Sequence, residues 1–268
     1  MKKIGEYIET GTLRILEREH NDPQNILTDV YGIGPIKAKN LVEKGITSIE
    51  ELRKRKDELL NDVQRSGLRY YEDILQRIPR SEIDEFKTIL NTTFEAVKTP
   101  NSKYEIVGSY RRGAKTSGDI DVIITSPNKE LFKAFMDELL NKKVIVELLS
   151  RGATKSLVIA KLPGGKYARR VDFLYSNPEE YPFAVLYFTG SKIFNTVMRG
   201  RALSLGYSLN EHGLYKMENK KKGEKIDHVF RNEKDIFDFL KMVYKDPEQR
   251  IDGRAVVPVK NSPPLERL

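Results

Sequence analysis

Cysteine is absent from this 268-residue chain, which excludes disulfide bridges and thiolate metal sites and agrees with a reducing compartment. Tryptophan is absent as well. No stretch approaches the roughly 18 consecutive apolar residues of a membrane span, so no membrane partner is expected. The start, Met1-Lys2-Lys3 followed by Gly5, Glu6 and Glu9, lacks the apolar core of a secretory signal. No internal repeat is evident. What is present is 39% hydrophobic residues, enough for a core, with 32% charged residues and a net charge of +8. That length accommodates two or three small subdomains around one substrate cleft. A basic balance agrees with a nucleic-acid partner without specifying one. Two cationic runs, Arg53-Lys54-Arg55-Lys56 and Lys220-Lys221-Lys222, read either as phosphate contacts or as solvated faces, and neither is assigned to base reading.

The most informative stretch runs from Gly108 to Ile124. Asp119 and Asp121 are spaced i and i+2, so on a strand both carboxylates point to one side. Two carboxylates that close repel unless a cation lies between them, and hard divalent ions such as Mg²⁺ suit such oxygen ligands. Val122-Ile123-Ile124 predicts a buried strand with the acids at one end. An Asp-x-Asp at a strand end is also common in plain structural roles. Upstream, Gly108-Ser109 can bring backbone N–H groups to a phosphate oxygen, with Arg112 able to pair with it. Together these residues point to nucleotidyl transfer, and the layout resembles the nucleotidyltransferase superfamily. Arg170-Val171-Asp172-Phe173-Leu174 supplies the candidate third carboxylate, an acid inside an apolar, β-prone run where a lone buried charge would be costly.

A second motif concerns the partner. Thr28 to Lys39 has the form of a helix–hairpin–helix, with Gly32-Ile33-Gly34-Pro35 as the hairpin and Leu41 and Val42 continuing the apolar side of the second helix. Glycines allow a tight turn and a close approach to DNA, and N–H groups at the start of the second helix can meet a phosphate. Such contacts hold the backbone without reading sequence. Pro35, Lys37, the small Ala38 and Lys39 favour this over an ordinary helical turn.

With these segments, Gln64 to Asp73, Arg77-Ile78-Pro79-Arg80, and Tyr187-Phe188-Thr189-Gly190-Ser191 through Glu211, the chain resembles the X family of DNA polymerases, in its β-type form, over roughly residues 3–250. The resemblance implies an α+β fold: a nucleotidyltransferase palm with a mixed or antiparallel sheet, flanked by a helical DNA-binding subdomain and a C-terminal α/β nucleotide-selection subdomain. It implies that Asp119, Asp121 and Asp172 hold two Mg²⁺ ions, with Mn²⁺ as an alternative, and that Asp172 takes the primer 3′-OH proton. Arg77, Ser109, Arg112 and Gly118 would hold the β- and γ-phosphates of a dNTP. Tyr187, Phe188, Thr189 and Gly190 would form the wall under the sugar; read without the family, those aromatics are core residues where a strand or turn ends. Asn195 and Lys192 would meet the incoming base, Arg199 the template side, Arg170 the primer terminus and Glu211 the DNA. At the hairpin, Gly32, Gly34, Ile36, Lys37 and Ala38 would contact DNA, and the carbonyls of Thr28, Val30 and Ile33 would hold Na⁺ or K⁺. The implied partners are primer-template or gapped DNA and a dNTP. The expected protein is a soluble intracellular monomer, nuclear or, if viral, in the virion or host cytoplasm.

Departures accompany the resemblance. Lys192 stands where the family usually has an acid, and His212 where a tyrosine is usual. Residues 215–228, rich in Lys and Gly, read as a mobile loop. Lys3, in a helix expected over 1–18, matches the family's Schiff-base lysine, but lyase activity is not expected. The divisions are 1–18, 19–79 for DNA binding, 80–176 for the palm and 177–268 for nucleotide selection, with a helix from Ser81 to Val97, a hairpin joining 155–161 to 167–174, a late helix around Phe237, Phe239 and Leu240, and a disordered tail after Pro258. A terminal transferase, or a transferase acting on RNA or a small molecule, is the alternative, though terminal transferases typically carry a Gly-Trp pair that a chain without tryptophan cannot have. A non-catalytic DNA-binding scaffold is the other.

Overall fold

A computed structural model of the chain describes residues 21–260. The helix expected over 1–18, Lys3, and residues 261–268 of the tail lie outside the described residues. The chain divides into two compact units, Met1–Gln76 and Arg77–Leu268.

The first unit is helical because its polar residues cap and its leucines and isoleucines recur on inner faces. Asp22 caps α1 (Pro23–Thr28), its carboxylate accepting from the Gln24 amide at 2.8 Å. Pro35 opens α2 (Pro35–Glu43), as suits the first helical position. Then follow α3 (Ile49–Lys54), capped by Ser48, and α4 (Lys56–Leu59). A reciprocal box between Asn61 and Gln64 starts α5 (Asp62–Arg69), ahead of α6 (Tyr71–Leu75). Leu27, Val30, Ala38, Leu41, Leu52 and Leu68 form the unit's core. Two contacts tie α5 to the α1–α2 hairpin. Gln64 Nε2 donates to the Gly32 carbonyl at 2.9 Å, and Gly67 packs against Tyr31.

The second unit begins with β1 (Ile78–Pro79) and α7 (Arg80–Val97), then β2 (Lys103–Ile106), the single turn α8 (Gly108–Arg111) and β3 (Thr116–Ser117), which pairs with β1. The central strands are β4 (Ile120–Thr125), β5 (Ile145–Arg151), β6 (Lys155–Ala160) and β7 (Arg169–Ser176), with α9 (Glu130–Asn141) between β4 and β5. Their sheet has the order β2-β4-β7-β6-β5, with β4 and β7 parallel and the other pairs antiparallel. The expected 155–161 to 167–174 hairpin is β6–β7. Alternation along the strands sorts the faces. Val122, Ile124, Val171 and Phe173 pack with Phe86, Phe94 and Phe135 of the two long helices, while Ile123 packs on the other face with Tyr181, Ala184 and Val185.

Beyond the sheet come α10 (Tyr181–Thr189) and α11 (Lys192–Ser204). An antiparallel sheet of β8 (Tyr207–Asn210), β9 (Gly213–Glu218) and β10 (Lys221–Lys225) follows, and then α12 (Glu233–Phe239), the late helix expected from its phenylalanines. Two expectations are corrected here. Tyr187 and Phe188 end a helix, not a strand or turn: the segment is apolar almost all round and is buried from Tyr181 to Leu186, so it carries no helical period to read. Residues 215–228 are not a mobile loop, since most of them form the β9–β10 hairpin. Asn219 and Lys220, at φ 50° and 61°, make a two-residue left-handed turn of the kind that matches strand twist.

Gly67 is the tightest contact of the first unit, because a Cβ there would lie 2.2 Å from the Tyr31 carbonyl oxygen. Gly67→Ala is expected to destabilise this unit by about 1–3 kcal/mol, the usual cost of overpacking, measured by urea denaturation. An unchanged midpoint would contradict the tie between α5 and the hairpin.

Candidate active site

Asp121 of β4 and Asp172 of β7 are directly opposed in the parallel register. Adjacent strands lie about 4.8 Å apart, so the two carboxylates are neighbours on one face, turned away from the phenylalanine core. Gly108 makes this possible: it adopts φ +63°, and a Cβ there would fall 2.5 Å from Asp121 Oδ2. Burial, reinforced by Asp172, pushes the Asp121 carboxyl up to about 6, against the pull of Arg112 and Lys155. Burial likewise raises Asp172, opposed by Arg170 and Lys155. Asp172 Oδ1 is buried and accepts no hydrogen bond.

Asp119 lies one residue before β4 and not on the strand as expected. It is ion-paired with Arg170, whose Nε lies 3.6 Å from Asp172 Oδ1. The guanidinium therefore sits between two of the acids. Among the described residues no three acidic or histidine side chains converge as a ready metal cage. The donor set nevertheless fits a hard divalent cation: oxygen ligands only, two carboxylates held high in energy by burial and proximity, and an unsatisfied acid oxygen.

A cavity of about 610 Å³ opens over this face. It is lined by the acids Asp119 and Asp121 and by the cations Arg77, Arg112, Lys192 and Arg199. Gly108, Ser109 and Gly118 line it on the α8 side, and Tyr187, Phe188, Gly190 and Asn195 on the α10–α11 side. Local bonds fix most of these groups. Arg77 donates to the Thr116 hydroxyl at 3.2 Å and to its carbonyl at 2.7 Å. Ser109 and Ser117 share a hydroxyl hydrogen bond at 2.7 Å. Arg112 Nη1 donates to the Thr189 carbonyl at 2.5 Å, and burial lowers its pKa despite Asp121. Asn195 Nδ2 donates to the Tyr187 carbonyl at 2.7 Å, and the Arg199 guanidinium stacks 4.9 Å from the Tyr187 ring centre. Asn195 and Arg199 share α11, as expected.

Some expected site residues stand elsewhere. Thr189 is fully buried, its hydroxyl accepting from Arg111 at 2.9 Å, so it anchors the wall instead of lining it. Glu211 lies outside the cavity, 3.7 Å from Arg199. His212, the departure beside it, bonds Glu180 at 3.0 Å through Nδ1 and approaches Glu211 at 4.0 Å through Nε2. A second cavity, of about 470 Å³ between Phe183 and Phe230, holds none of the expected residues.

In the first unit, Gly32 adopts φ +86°, which the turn requires of a glycine. Gly34 caps α2 at φ −85°, and no atom lies within 4 Å of a Cβ built on it. The space beside it is open. Ile36 is 81% exposed, whereas Ala38 is buried. Lys37 is spent inside the unit, its ammonium donating to the Leu59 carbonyl at 2.6 Å. Lys39 faces Glu43 at 3.9 Å. The Val30 carbonyl accepts from the Ile33 amide at 3.0 Å, and Thr28 closes α1.

Comparison with known proteins matches residues 25–75 to the fingers domain of DNA polymerase lambda, 77–178 to the DNA polymerase beta palm and 184–251 to the DNA polymerase beta thumb. The chain belongs to the X family of DNA polymerases. DNA polymerase lambda of Arabidopsis thaliana is 31% identical over 270 residues, covering 92% of this chain and 50% of that protein. DNA polymerase lambda of Rattus norvegicus is 32% identical over 266 residues, covering 93% and 46%. The chain thus spans about half the length of the curated relatives it matches.

Sequence reading missed the group that holds this X-family cavity together. Glu233, at the start of α12, accepts from Arg111 at 3.1 and 2.7 Å and from Arg250 at 2.5 Å. Arg111 also bonds Glu105 at 2.6 Å. Burial pulls the Arg111 guanidinium down, but Glu233 and Glu105 more than offset it and raise its pKa. Through Arg111 and Thr189 this network joins α8, which carries Ser109, to the end of α10, which carries Tyr187 and Phe188. Arg111 and Glu233 are 122 residues apart, and no local pattern marks them as partners. Glu233→Gln is expected to cost about 3–5 kcal/mol, as breaking a buried ion pair does, and to weaken nucleotide binding. Urea denaturation and nucleotide titration check both. A variant of unchanged stability would contradict the buried network.

Proposed function

We propose that this chain is a template-directed DNA polymerase that fills short gaps during DNA repair. The primer 3′-oxygen attacks the α-phosphorus of a dNTP, a new P–O bond forms, and pyrophosphate leaves. The observation that carries this reading is one cavity lined by Asp119, Asp121, Arg77, Arg112 and Lys192, with Asp172 beside Asp121 in the sheet. The acids suit metal and the cations suit a triphosphate, and such pre-placed charge is where phosphoryl-type catalysis draws most of its acceleration.

Arg77, Ser109, Arg112 and Gly118 bind the β- and γ-phosphates, with Arg77 and Ser109 already oriented by Thr116 and Ser117. Asp119, Asp121 and Asp172 would hold two Mg²⁺ ions, or Mn²⁺, which when bound would supply charge stabilisation for phosphoryl transfer. Asp172, its carboxyl raised by burial, accepts the 3′-OH proton. Tyr187, Phe188 and Gly190 lie under the sugar, and Thr189 fixes that wall from behind. Asn195 and Lys192 meet the incoming base, Arg199 the template, Arg170 the primer terminus and Glu211 the DNA near Arg199. A lysine at 192 attracts nucleotides without regard to base identity.

Residues 19–79 hold the DNA backbone through Gly32, Gly34 and Ile36, with Na⁺ or K⁺ at the carbonyls of Thr28, Val30 and Ile33; Ala38, buried in the core with its amide bonded to the Gly34 carbonyl, supports the hairpin from within. Lys37 contributes by bracing the hairpin against Leu59. Residues 80–176 serve as the palm and 177–268 select the nucleotide. The proposed protein acts as a monomer, in the nucleus or, if viral, in the virion or host cytoplasm. No helix of the described residues is long and apolar enough to cross a membrane.

Primer extension on a one-nucleotide gapped duplex with Mg²⁺, each deoxynucleotide offered singly, tests this reading beside Asp172→Ala. Only the templated base should be inserted, and the variant should lose activity by orders of magnitude. Addition regardless of template would point to a terminal transferase. No addition with DNA binding intact would leave a scaffold.

A further inference from the structure

The two cationic runs of the sequence have different fates. In the first unit, Arg53 is paired with Glu72 at 2.5 Å and Arg55 with Glu58 at 2.8 Å, so two of that run's four cations are neutralised by their own surroundings. The run at Lys220-Lys221-Lys222 is not. All three lysines are exposed, and no ion pair joins any of them to a carboxylate among the described residues. Lys220 occupies the left-handed turn, Lys221 opens β10 opposite Glu218, and the Lys222 ammonium sits 3.5 Å from the Tyr215 ring centre. The two-residue turn and the ladder to β9, whose residues Gly213–Lys216 pair in turn with β8, give these charges an ordered mount. Ordered lysines lose less freedom on binding than lysines on a loose loop.

The other end of the same sheet reaches the cleft. Asn210, the last residue of β8, lines a small cleft with Tyr187, Asn195 and Arg199, three residues that also line the active-site cavity. The six residues of β9 then lead away from that rim to the lysine tip, which at about 3.3 Å per residue is roughly 20 Å. Duplex DNA presents one charge for about every 1.7 Å of its axis, so a polyanion held at the cleft carries several phosphates across that span.

We propose that the tip of the β9–β10 hairpin, Lys220, Lys221 and Lys222, is a phosphate-binding site that holds the sugar–phosphate backbone of DNA at a distance from the reacting pair. The inference rests on the reading of the cavity as a DNA polymerase site. The grip is on backbone charge and carries no sequence preference. A competing role is protection of an edge, since β10 is the outer strand of its sheet and lysines discourage edge-to-edge pairing.

The test is the salt dependence of binding to a fluorescent gapped duplex, in Ca²⁺ to prevent turnover, for the full chain and two variants. Lys220→Ala/Lys221→Ala/Lys222→Ala is expected to bind about tenfold or more weakly at low salt, with a log–log salt slope shallower by about 0.9 for each phosphate that is no longer neutralised. Lys220→Arg/Lys221→Arg/Lys222→Arg keeps the charge and is expected to keep the slope. Single-nucleotide insertion at saturating DNA should be unchanged in both variants. An unchanged slope in the alanine variant overturns the proposal, and so does a variant whose only change is self-association, which would assign the lysines to edge protection. If the wild-type chain inserts no nucleotide while the slope still falls in the alanine variant, the polymerase reading fails and the phosphate site stands.

Discussion

Two carboxylates fixed side by side in adjacent strands, against the loss of water that burial imposes, are the constraint on which the rest of this structure depends. The parallel β4–β7 register sets Asp121 next to Asp172, and neither can move away without breaking the ladder. Burial and mutual repulsion hold the pair high in energy. The surroundings then act as compensation. Arg170 reaches Asp119 and lies near Asp172, Lys155 and Arg112 act on Asp121 through space, and Gly108 stays bare so that Asp121 has room. A site built this way sacrifices stability to keep unneutralised charge where a reaction uses it.

The same logic explains the buried network behind the cavity. Glu233 with Arg111 and Arg250 is a costly arrangement, and packed apolar residues would often serve stability as well. It joins two elements that both line the cavity. The turn carrying Ser109 and the helix end carrying Tyr187 both hang on Arg111, directly or through Thr189. Arg112, one residue on, holds the Thr189 carbonyl. A buried, hydrogen-bonded ion cluster accepts fewer alternative geometries than an apolar contact does.

How much of this was legible in the sequence depended on the range of the interaction. The Gly-Ser turn and the glycine-marked hairpin are local patterns and were readable; of the i, i+2 acids Asp121 lies on the strand as read, while Asp119 lies one residue before it. Asp172 was readable as an acid in an apolar run, although its exact opposition to Asp121 is a matter of register. Asn195 and Arg199 on one helix face followed from their spacing. The helix under Tyr187 and Phe188 was not legible, because a segment buried nearly all round has no polar face to set a period. The β9–β10 hairpin reads as a loop because a lysine- and glycine-rich strand at a sheet edge looks solvated in sequence, which it is. Long-range partnerships left no trace at all: Lys37 with the Leu59 carbonyl, Thr189 with Arg111, and Glu233 with two arginines.

The most direct measurement is the thermal stability of the wild type and Asp121→Asn, each without divalent ions and with saturating Mn²⁺. A carboxyl raised to about 6 when folded favours the folded state in its neutral form, and that contribution is lost as pH rises through about 6. At about pH 8 without divalent ions, Asp121→Asn should therefore be the more stable protein, by on the order of 1 kcal/mol, and near pH 3 the difference should vanish. Mn²⁺ should raise the melting temperature of the wild type and leave the variant nearly unmoved. A wild type more stable than Asp121→Asn at the higher pH, or an equal response of both to Mn²⁺, would contradict the account of a strained carboxylate pair that awaits a cation.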